Sequence, residues 1–444
     1  MIIQEKIAAQ LPGWRDRVQN LVKNYGSFKV DEVSVDQIYS GIRGVQVNIS
    51  DVSYVDPQEG IRIRGYTIPE LQRKLPKAPG SDYPLAGGIF YLLMVDELPT
   101  LDEAMEVEAE WKRRSQVPIY VYDMIRALPT CAHPMTMFSQ AILALNCESV
   151  FADRYSQGMP KSDYWIATLE DSMNLVAKIP SIAGFIYNLR YKDGRQARLD
   201  PDLDWSGNFA NMILPGDKDY QDLIRLFVVL HSDHEGANVS AHTAQLVSSA
   251  LSDTYYATSA AMCGLAGPLH GLANQECLKW LQEVFNRFDG LPTKDQLTEF
   301  AREWLKSGQV IPGYGHPVLR VTDPRFTAQL EFGNQHFPND PLFSLAKMVY
   351  DVVPGVLAET GKVKNPWPNV DALSGTIQHH FGVTEDDFYT VLFGVSRIMG
   401  LTAQNVWARA LGKPIERPKS VTTRMLEEMI GLPPGGKEAP EKEA

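Results

Sequence analysis

Apolar residues recur every three or four positions through most of the chain, which is the pattern of α-helices with one or more buried faces. The clearest stretches read DEAMEVEAEWKRRSQ, MTMFSQAILALNCESVFADRY, YQDLIRLFVVLHSDHE, GLANQECLKWLQEVFNRF, KDQLTEFAREWLKSG and FYTVLFGVSRIMGLTAQNVWARALG. Segments with Gly and Pro, such as LPGD, FDGLP, FPND and ALGKP, separate them. The pattern therefore predicts an all-α protein.

Alternation of apolar and polar residues, the pattern of a strand, is convincing in one region. GVQVNISDVSYVD and GIRIRG, near residues 44–65, form two short runs of this kind. We expect one minor β-hairpin inside a large helical body. No repeat of fixed period is visible, so a helical solenoid is not expected.

Length and charge narrow the classes of protein that remain. A chain of 444 residues exceeds the size at which single cores usually divide, so two or more structural units are expected. Its 42 Lys and Arg against 54 Asp and Glu give a net charge of −12, which repels phosphate backbones, and we expect no nucleic-acid partner. No uninterrupted apolar run approaches the ~18 residues that span a bilayer, so no membrane association is expected either.

The ends of the chain and the cysteines bear on location. Glu5 and Asp16 come too early for a secretory signal or a transit peptide, so we expect a cytoplasmic protein, with the mature form of a mitochondrial matrix protein as the alternative. The four cysteines form no CxxC motif and predict reduced core thiols. The Pro, Gly, Glu and Lys-rich end, 431–444, predicts a disordered tail.

The segment HSDHE, 231–235, leaves three interpretations open. His231 and His234 are three residues apart and share a helix face, beside Asp233 and Glu235, which suits a divalent metal. The segment is not H-E-x-x-H, however, and no second cluster completes a metal shell. Buried or capping polar residues, and a histidine that binds substrate, are the other interpretations.

A glycine-rich segment, GLAGPLHGLANQE (264–276), carries the first candidate for chemistry. Pro268 is typical of the first turn of a helix, so His270 is expected near a helix N-terminus, where the partial positive charge favours neutral imidazole. A neutral histidine can donate a hydrogen bond to an oxygen that is becoming an enolate. The alternative is a histidine at a helix start that bonds to backbone. Residues 264–271 are also a plausible hinge.

Two further stiff loops each present one reactive side chain. In VIPGYGHPVLRVTDPR (310–325), Pro317 keeps His316 out of a helix, and Arg320 and Arg325 follow, which suits an anionic substrate whose carbonyl needs a proton. A surface loop with incidental charges is the alternative. In KVKNPWPNVDALSG (362–375), Asp371 is either a carboxylate base or the cap of the next helix.

Two arginines complete the set. Arg397 lies in the apolar segment FGVSRIMG and Arg417 in ERPKS. A lone buried charge is costly, so Arg397 needs a partner, either a protein carboxylate or a substrate carboxylate. A neutral histidine, an acidic histidine, a carboxylate base and several arginines together indicate an enolisation followed by addition onto a dicarboxylate.

These segments resemble those of the citrate synthase family, specifically its dimeric type typified by mitochondrial enzymes. GLAGPLHGLANQE, PGYGHPVLRVTDPR, KNPWPNVDALSG, HSDHEGANVSAHT, FGVSRIMG and ERPKS appear in the family's order, and the resemblance runs from about residue 35 to 425. It implies an acyltransferase of the tricarboxylic acid cycle that condenses acetyl-CoA with oxaloacetate and hydrolyses citryl-CoA to citrate and CoA.

The resemblance also implies roles for single residues. His270 would hold the thioester carbonyl while Asp371 removes a methyl proton, and His316 would protonate the ketone oxygen of oxaloacetate. The oxaloacetate-binding residues would be His234, Arg325, Arg397 and, from the partner subunit of a homodimer, Arg417. The family's coenzyme A contacts would be Arg43, Arg320, Lys362 and Lys364. No metal and no permanently bound cofactor is implied, since the coenzyme A thioester is a co-substrate.

The implied fold is all-α with two domains around a cleft. Residues 1–271 and 383–430 would form the large domain, and 272–382 a small domain that closes over the ligands and limits wasteful thioester hydrolysis.

Other functions remain open at this point. A 2-methylcitrate synthase, which uses propionyl-CoA, differs by about one methylene of pocket space, worth ~1–3 kcal/mol. A metal-dependent hydrolase built on HSDHE and a non-catalytic helical scaffold are more remote.

Overall fold

The structure, a computed structural model, describes residues 1–316, 318–361 and 363–433. Its helices are α1 Ile2–Tyr25, α2 Val35–Tyr39, α3 Ile68–Lys74, α4 Ala86–Val95, α5 Leu101–Arg114, α6 Ile119–Ala127, α7 Pro134–Ala144, α8 Val150–Ser156, α9 Tyr164–Tyr191, α10 Trp205–Ile213, α11 Lys218–His231, α12 Val239–Ser249, α13 Thr254–Leu265, α14 Ala273–Arg287, α15 Lys294–Lys306, α16 Pro324–His336, α17 Pro341–Glu359, α18 Asp371–His380, α19 Tyr389–Ala410 and α20 Thr423–Met429. Short 3₁₀ turns occupy Leu145–Glu148, Lys161–Asp163 and Asp386–Phe388. The predicted all-α class is confirmed.

One small antiparallel sheet accompanies the helices. Its strands β1 Ser53–Asp56, β2 Gly60–Ile63 and β3 Tyr66–Thr67 lie in the order β1-β2-β3. Ser53 pairs with Ile63 and Asp56 with Gly60, so the β1–β2 turn is tight. The predicted hairpin is present but shorter, because the alternating residues 45–50 pair with no described strand, and a third strand that was not predicted is added.

The core is built around two helices that pack against each other, α9 and α19. Every residue of α19 except Ala408 is buried. Helices α4, α7, α11, α12 and α13 also contact α19. A helix that is buried on all faces lacks the charged stripe of a surface helix, and the charged residues of the 22-residue α19 are accordingly two, Arg397 and Arg409.

Helices α14 to α18 contact one another. They span 273–380, which lies inside the predicted small domain. The predicted disordered tail, 431–444, lies outside the described residues from position 434 onward.

The expectation that the cysteines lie in the core needs correction. Cys131, Cys147 and Cys263 are exposed rather than in the core, although all four cysteines are free thiols; Cys277 is buried. Helix α17 is long and apolar enough to cross a membrane by length and composition alone, a test that core helices also pass. Lys347 and Asp351 interrupt its apolar sequence, so the search for an uninterrupted apolar run did not select it.

Candidate active site

Residues far apart in the chain meet at one place. The rings of His234 and His316 lie 6.2 Å apart between centroids. The charges of Arg325 and Arg397 lower the pKa of His234, which burial already holds well below its usual value. The same two arginines also act on Asp371, and Arg397 acts on His270. The structure therefore brings together six of the predicted residues: His234, His270, His316, Arg325, Asp371 and Arg397.

His316 is held by its own loop. Its Nδ1 accepts the backbone N–H groups of Val318 at 3.1 Å and Leu319 at 3.0 Å. A nitrogen that accepts two hydrogen bonds carries no proton, so the neutral ring has its proton on Nε2. Burial, and then Arg325, lower the pKa of His316 to about 4. The ring is neutral at physiological pH and has one N–H available to donate.

His270 lies in a turn, not in the first turn of a helix. Its backbone N–H donates to Gly267 O, and α14 begins only at Ala273. The pKa falls to about 4 because of burial and then the charge of Arg397. The ring is neutral, as expected, but α14 is not the helix whose N-terminus it contacts.

Ser240, at the start of α12, fixes the His270 ring. The Nε2 atom lies 2.9 Å from Ser240 Oγ and accepts the Ser240 backbone N–H at 3.3 Å. An Nε2 that accepts leaves the ring proton on Nδ1. Ser240 was missed by the sequence analysis. Its signal was weak, since a serine one or two positions after an Asn cap is common at helix starts.

Asp371 is the first residue of α18, but it does not cap that helix. The α18 start has no side-chain cap, and Asn369 Oδ1 accepts the Asp371 backbone N–H at 3.0 Å. The Asp371 carboxylate has no hydrogen bond to any described residue. Burial raises its pKa to about 6. These features favour the interpretation of Asp371 as a base over that of a helix cap.

Arg325 is held by a carboxylate that the sequence analysis did not select. Asp323 is fully buried and accepts from Arg325 Nη2 at 2.7 Å and from Nε at 3.1 Å. Although burial acts to raise the pKa of Asp323, the charge of Arg325 keeps it below the ordinary value. The sequence D-P-R signals a helix cap, and Asp323 does cap α16, so its second role was hidden.

Arg397 is the unusual charge of the site. Its side chain is 1% exposed, its Nε donates to His231 O at 3.2 Å, and its guanidinium lies 4.7 Å from the Phe393 ring centroid. Burial lowers its pKa to about 10. Among the described residues no carboxylate lies within ion-pair distance of it, although the charges of Asp233 and Asp371 act on it from farther away. The alternative of a protein carboxylate partner is therefore not supported by the structure.

The remaining predicted residues lie outside this cluster. Arg417 is exposed on the extended segment 413–422, and Arg43, Arg320 and Lys364 are exposed as well. The Arg320 backbone N–H donates to Pro57 O at 2.8 Å. Lys362 lies outside the described residues.

Side chains of the HSDHE segment are engaged in contacts with other residues of the protein. His231 stacks on Phe227 at 3.9 Å, and its Nδ1 lies 2.9 Å from Phe227 O. Asp233 accepts from Ser53 and Gln404. No group of three or more His, Cys, Asp or Glu in the described part of the chain is arranged to hold a metal ion.

A cavity of about 530 Å³ lies elsewhere, between α5, α9, α10 and α11. Trp111 and Trp205 line it, and Arg225 inside it is paired with Asp204 and Asp222. None of the predicted site residues lines this cavity, so it does not belong to the cluster.

The family model described as citrate synthase, C-terminal domain, matches residues 41–419. The chain belongs to the citrate synthase family. The probable mitochondrial citrate synthase of Glossina morsitans morsitans is 51% identical over 429 residues, which cover 96% of this chain and 92% of the relative. The mitochondrial citrate synthase of Xiphias gladius is 49% identical over 434 residues, which cover 98% and 92%.

Solved structures give the same result for the fold. The Pyrobaculum aerophilum citrate synthase superposes with a TM-score of 0.76 at 27% identity, covering 86% of this chain and 92% of that one. The Thermoplasma acidophilum enzyme, a ternary complex with carboxymethyl coenzyme A and oxaloacetate, has a TM-score of 0.72 at 21% identity and covers 88% and 96%. The chain is thus a citrate synthase, an acyltransferase, which excludes the metal-dependent hydrolase and the non-catalytic scaffold.

The expected location of this citrate synthase is corrected by its relatives. Those that are about half identical over nearly the whole chain are named as mitochondrial, which favours the mitochondrial matrix. The cytoplasmic expectation is wrong. It depended on the first residues of the chain, and the point where a given sequence begins does not decide the compartment.

Proposed function

We propose that His270, His316 and Asp371 carry out the condensation of acetyl-CoA with oxaloacetate by which this citrate synthase makes citrate. The observation that carries the proposal is that the buried guanidinium of Arg397 has no carboxylate within ion-pair distance among the described residues. It lies near two neutral histidines and near the Asp371 carboxylate, which accepts no hydrogen bond from a described residue. A dicarboxylate substrate would supply the missing anion.

In the first step Asp371 removes a proton from the methyl group of acetyl-CoA. Its raised pKa, about 6, brings the carboxylate closer to the basicity that a general base needs at neutral pH. His270 donates the hydrogen bond of its neutral imidazole to the thioester oxygen as that oxygen gains charge. The product of this step is the enolate of acetyl-CoA, with its oxygen held by the hydrogen bond from His270.

In the second step the enolate carbon bonds to the ketone carbon of oxaloacetate, and the thioester carbonyl forms again. The electrons of the ketone double bond move to its oxygen, which takes the proton from Nε2 of His316. The position of that proton follows from the two backbone N–H groups that occupy Nδ1. Water then returns a proton to Nε2 of His316 and adds its hydroxyl to the thioester carbonyl of citryl-CoA. The CoA sulfur leaves with the proton held by Asp371, which releases citrate and CoA.

Binding of oxaloacetate is assigned to Arg325, Arg397 and His234 of one subunit. Asp323 engages Nε and Nη2 of Arg325, which leaves Nη1 for a substrate carboxylate. Arg417 lies outside the cluster of its own chain, and we propose, from the resemblance to the citrate synthase family, that it acts in the site of a second copy. Binding of coenzyme A is assigned to the cations Arg43, Arg320, Lys362 and Lys364.

A homodimer and a closing small domain belong to the same proposal. Exposed apolar side chains occupy helices α6, α7, α12 and α13, which are neighbours in the fold: Ile119, Tyr120, Leu143, Val239, Leu246 and Tyr256. An apolar face of this kind favours association of two copies. Residues 272–382 would close over the ligands relative to 1–271 and 383–430, with the turn at His270 beside the hinge.

The deciding experiment measures release of the CoA thiol when the purified protein is mixed with acetyl-CoA and oxaloacetate. We expect release that requires both substrates and survives a metal chelator. A parallel measurement with propionyl-CoA gives the ratio of kcat/KM values, and a preference for propionyl-CoA would replace the assignment by that of a 2-methylcitrate synthase.

A further inference from the structure

The β1–β2 hairpin contacts both loops that carry the proposed oxaloacetate residues. On one side, Ser53 Oγ donates to Asp233 Oδ2 at 2.7 Å and accepts the Glu235 backbone N–H at 2.8 Å. The Val55 backbone N–H donates to Glu235 Oε1 at 2.9 Å. Strand β1 therefore holds the residues immediately before and after His234.

On the other side, the β1–β2 turn contacts the loop of His316 and Arg325. Pro57 O accepts the Arg320 backbone N–H at 2.8 Å. Gly60, with φ +80°, packs against the ring of Pro324, and a Cβ at this position would lie under 3.0 Å from that ring. Pro324 directly precedes Arg325. The turn and strand β1 are only a few residues apart, so one short piece of structure contacts both loops.

The His234 loop has a conformation that needs support. Glu235 has φ +59°, which is uncommon for a residue other than glycine and persists only where the surroundings impose it. Gln404 on α19 gives a second support, because its Nε2 donates to Asp233 Oδ1 at 2.8 Å and to Glu235 O at 3.0 Å. Ser53 and Gln404 thus hold opposite oxygens of the Asp233 carboxylate.

We propose that the hairpin is a positioning element of the active site: Ser53 and the 57–60 turn fix the spacing between His234 and the His316–Arg325 loop. The proposal depends on the proposed function, since it assumes that both loops bind oxaloacetate. Ser53 and Gly60 act through other residues and are positioning residues, not catalytic ones. Their effect is therefore on the affinity for oxaloacetate more than on turnover.

The central test is Ser53→Ala, which removes a hydroxyl that both donates to and accepts from the His234 loop. We expect the KM for oxaloacetate to rise about tenfold, as for loss of a hydrogen bond to a charged group, while kcat at saturating oxaloacetate and the KM for acetyl-CoA change less than about twofold. Ser53→Thr retains the hydroxyl and is expected to restore the KM. Equilibrium binding of oxaloacetate, by titration calorimetry, checks that the change in KM is a change in affinity.

Tyr54→Phe is the matched control. It removes a hydroxyl from the same strand, Tyr54 is half exposed, and that hydroxyl has no hydrogen bond to a described residue. We expect the KM of the Tyr54→Phe variant for oxaloacetate to equal that of the wild type. Gly60→Ala adds a Cβ that would displace Pro324 in the other loop, so we expect it to raise the KM for oxaloacetate as well.

A reference variant, His234→Ala, separates the possible failures. If it raises the KM for oxaloacetate but Ser53→Ala does not, the positioning role is wrong and the proposed function stands. If Ser53→Ala lowers the melting temperature without changing the KM, the hairpin only stabilises the fold. If His234→Ala leaves the KM unchanged, the role of His234 is wrong and the positioning role fails with it.

Discussion

Burial shifts the pKa values of single side chains in the site away from those of ordinary surface groups. Burial lowers the pKa of both His270 and His316 to about 4 and raises the pKa of Asp371 to about 6. Neutral histidines can donate hydrogen bonds without adding positive charge, and a carboxylate of raised pKa is a stronger base than one in water. The three groups therefore suit a proton transfer at neutral pH.

Replacement of the base tests its role most directly. Asp371→Asn keeps the shape of the side chain and removes its ability to take a proton, so we expect kcat to fall about 10²–10⁴-fold. Oxaloacetate affinity, measured by calorimetry, should stay close to that of the wild type. Near-native turnover of this variant would contradict the assignment of Asp371 as the base.

The pH dependence of kcat/KM for acetyl-CoA follows from the same pKa values. Asp371 must be ionised to act, and its pKa is raised, so activity is lost as pH falls through about 6 and decreases tenfold per unit below it. The two histidines, with pKa values of about 4, stay neutral over this range. An acid limb with its midpoint near pH 4 would point to another base.

Arg397 is expected to contribute to function at the expense of stability. A buried arginine without an anionic partner is costly, so Arg397→Met should leave the melting temperature of the ligand-free protein equal or raise it. Affinity for oxaloacetate should fall by about 2–5 kcal/mol, the range for loss of one partner of a buried charge pair. Thermal unfolding with and without oxaloacetate measures both, and a large drop in melting temperature without ligand would contradict this account.

At the scale of elements, helix α19 supports the site at two positions that are seven residues, or about two helical turns, apart. Arg397 faces the cluster, and Gln404 holds the His234 loop. Between them the Gly400 backbone N–H donates to Ser232 O at 2.9 Å, and a Cβ on Gly400 would lie under 3.0 Å from Asp233. The His234 loop thus approaches the helix backbone at position 400 more closely than a residue other than glycine would allow there.

Gly400→Ala is therefore expected to displace Asp233 and the adjacent His234. We expect a loss of about 1–3 kcal/mol in the free energy of unfolding, typical of overpacking, together with a higher KM for oxaloacetate. Gly355→Ala on α17 is the control, because its Cβ would meet no atom within 4 Å, and it should be neutral or slightly stabilising. Denaturant unfolding and steady-state kinetics measure the two effects, and equal behaviour of the two variants would exclude the close approach.

The helices could be predicted from the sequence more fully than the contacts between them. Helices such as α15 and α19 follow from local apolar periodicity, since that pattern directly reflects burial. The start of α14 was placed too early because Pro268 lies in a turn rather than in the helix. The pairing of Asp323 with Arg325 and the support of His234 by Ser53 were not predictable, because a cap signal conceals the first and 180 residues separate the partners of the second.

At the scale of the whole molecule, the role that the family resemblance implies for Arg417, which lies outside the cluster of its own chain, predicts that one chain does not complete its own site. A homodimer would supply Arg417 from the partner, and each site would then contain residues of both copies. Mass determination in solution tests the dimer itself.

Mixed dimers test the sharing of residues. Copies with Arg417→Ala and copies with Asp371→Asn should each be inactive, but a mixed dimer has one intact site if Arg417 acts across the interface. Random assembly of equal amounts makes about half of the dimers mixed, so co-expression should recover about a quarter of the wild-type activity. No recovery would place Arg417 in the site of its own chain.

The central position of α19 has a consequence for synthesis of the protein. This helix, 389–410, is buried along nearly its whole length and yet leaves the ribosome well after α4, α9 and α11. Until it emerges, the surfaces of α9, α4 and α11 that it covers have no partner. Nascent chains of this protein therefore expose core surface until α19 has been made, and in that interval the surface is open to aggregation.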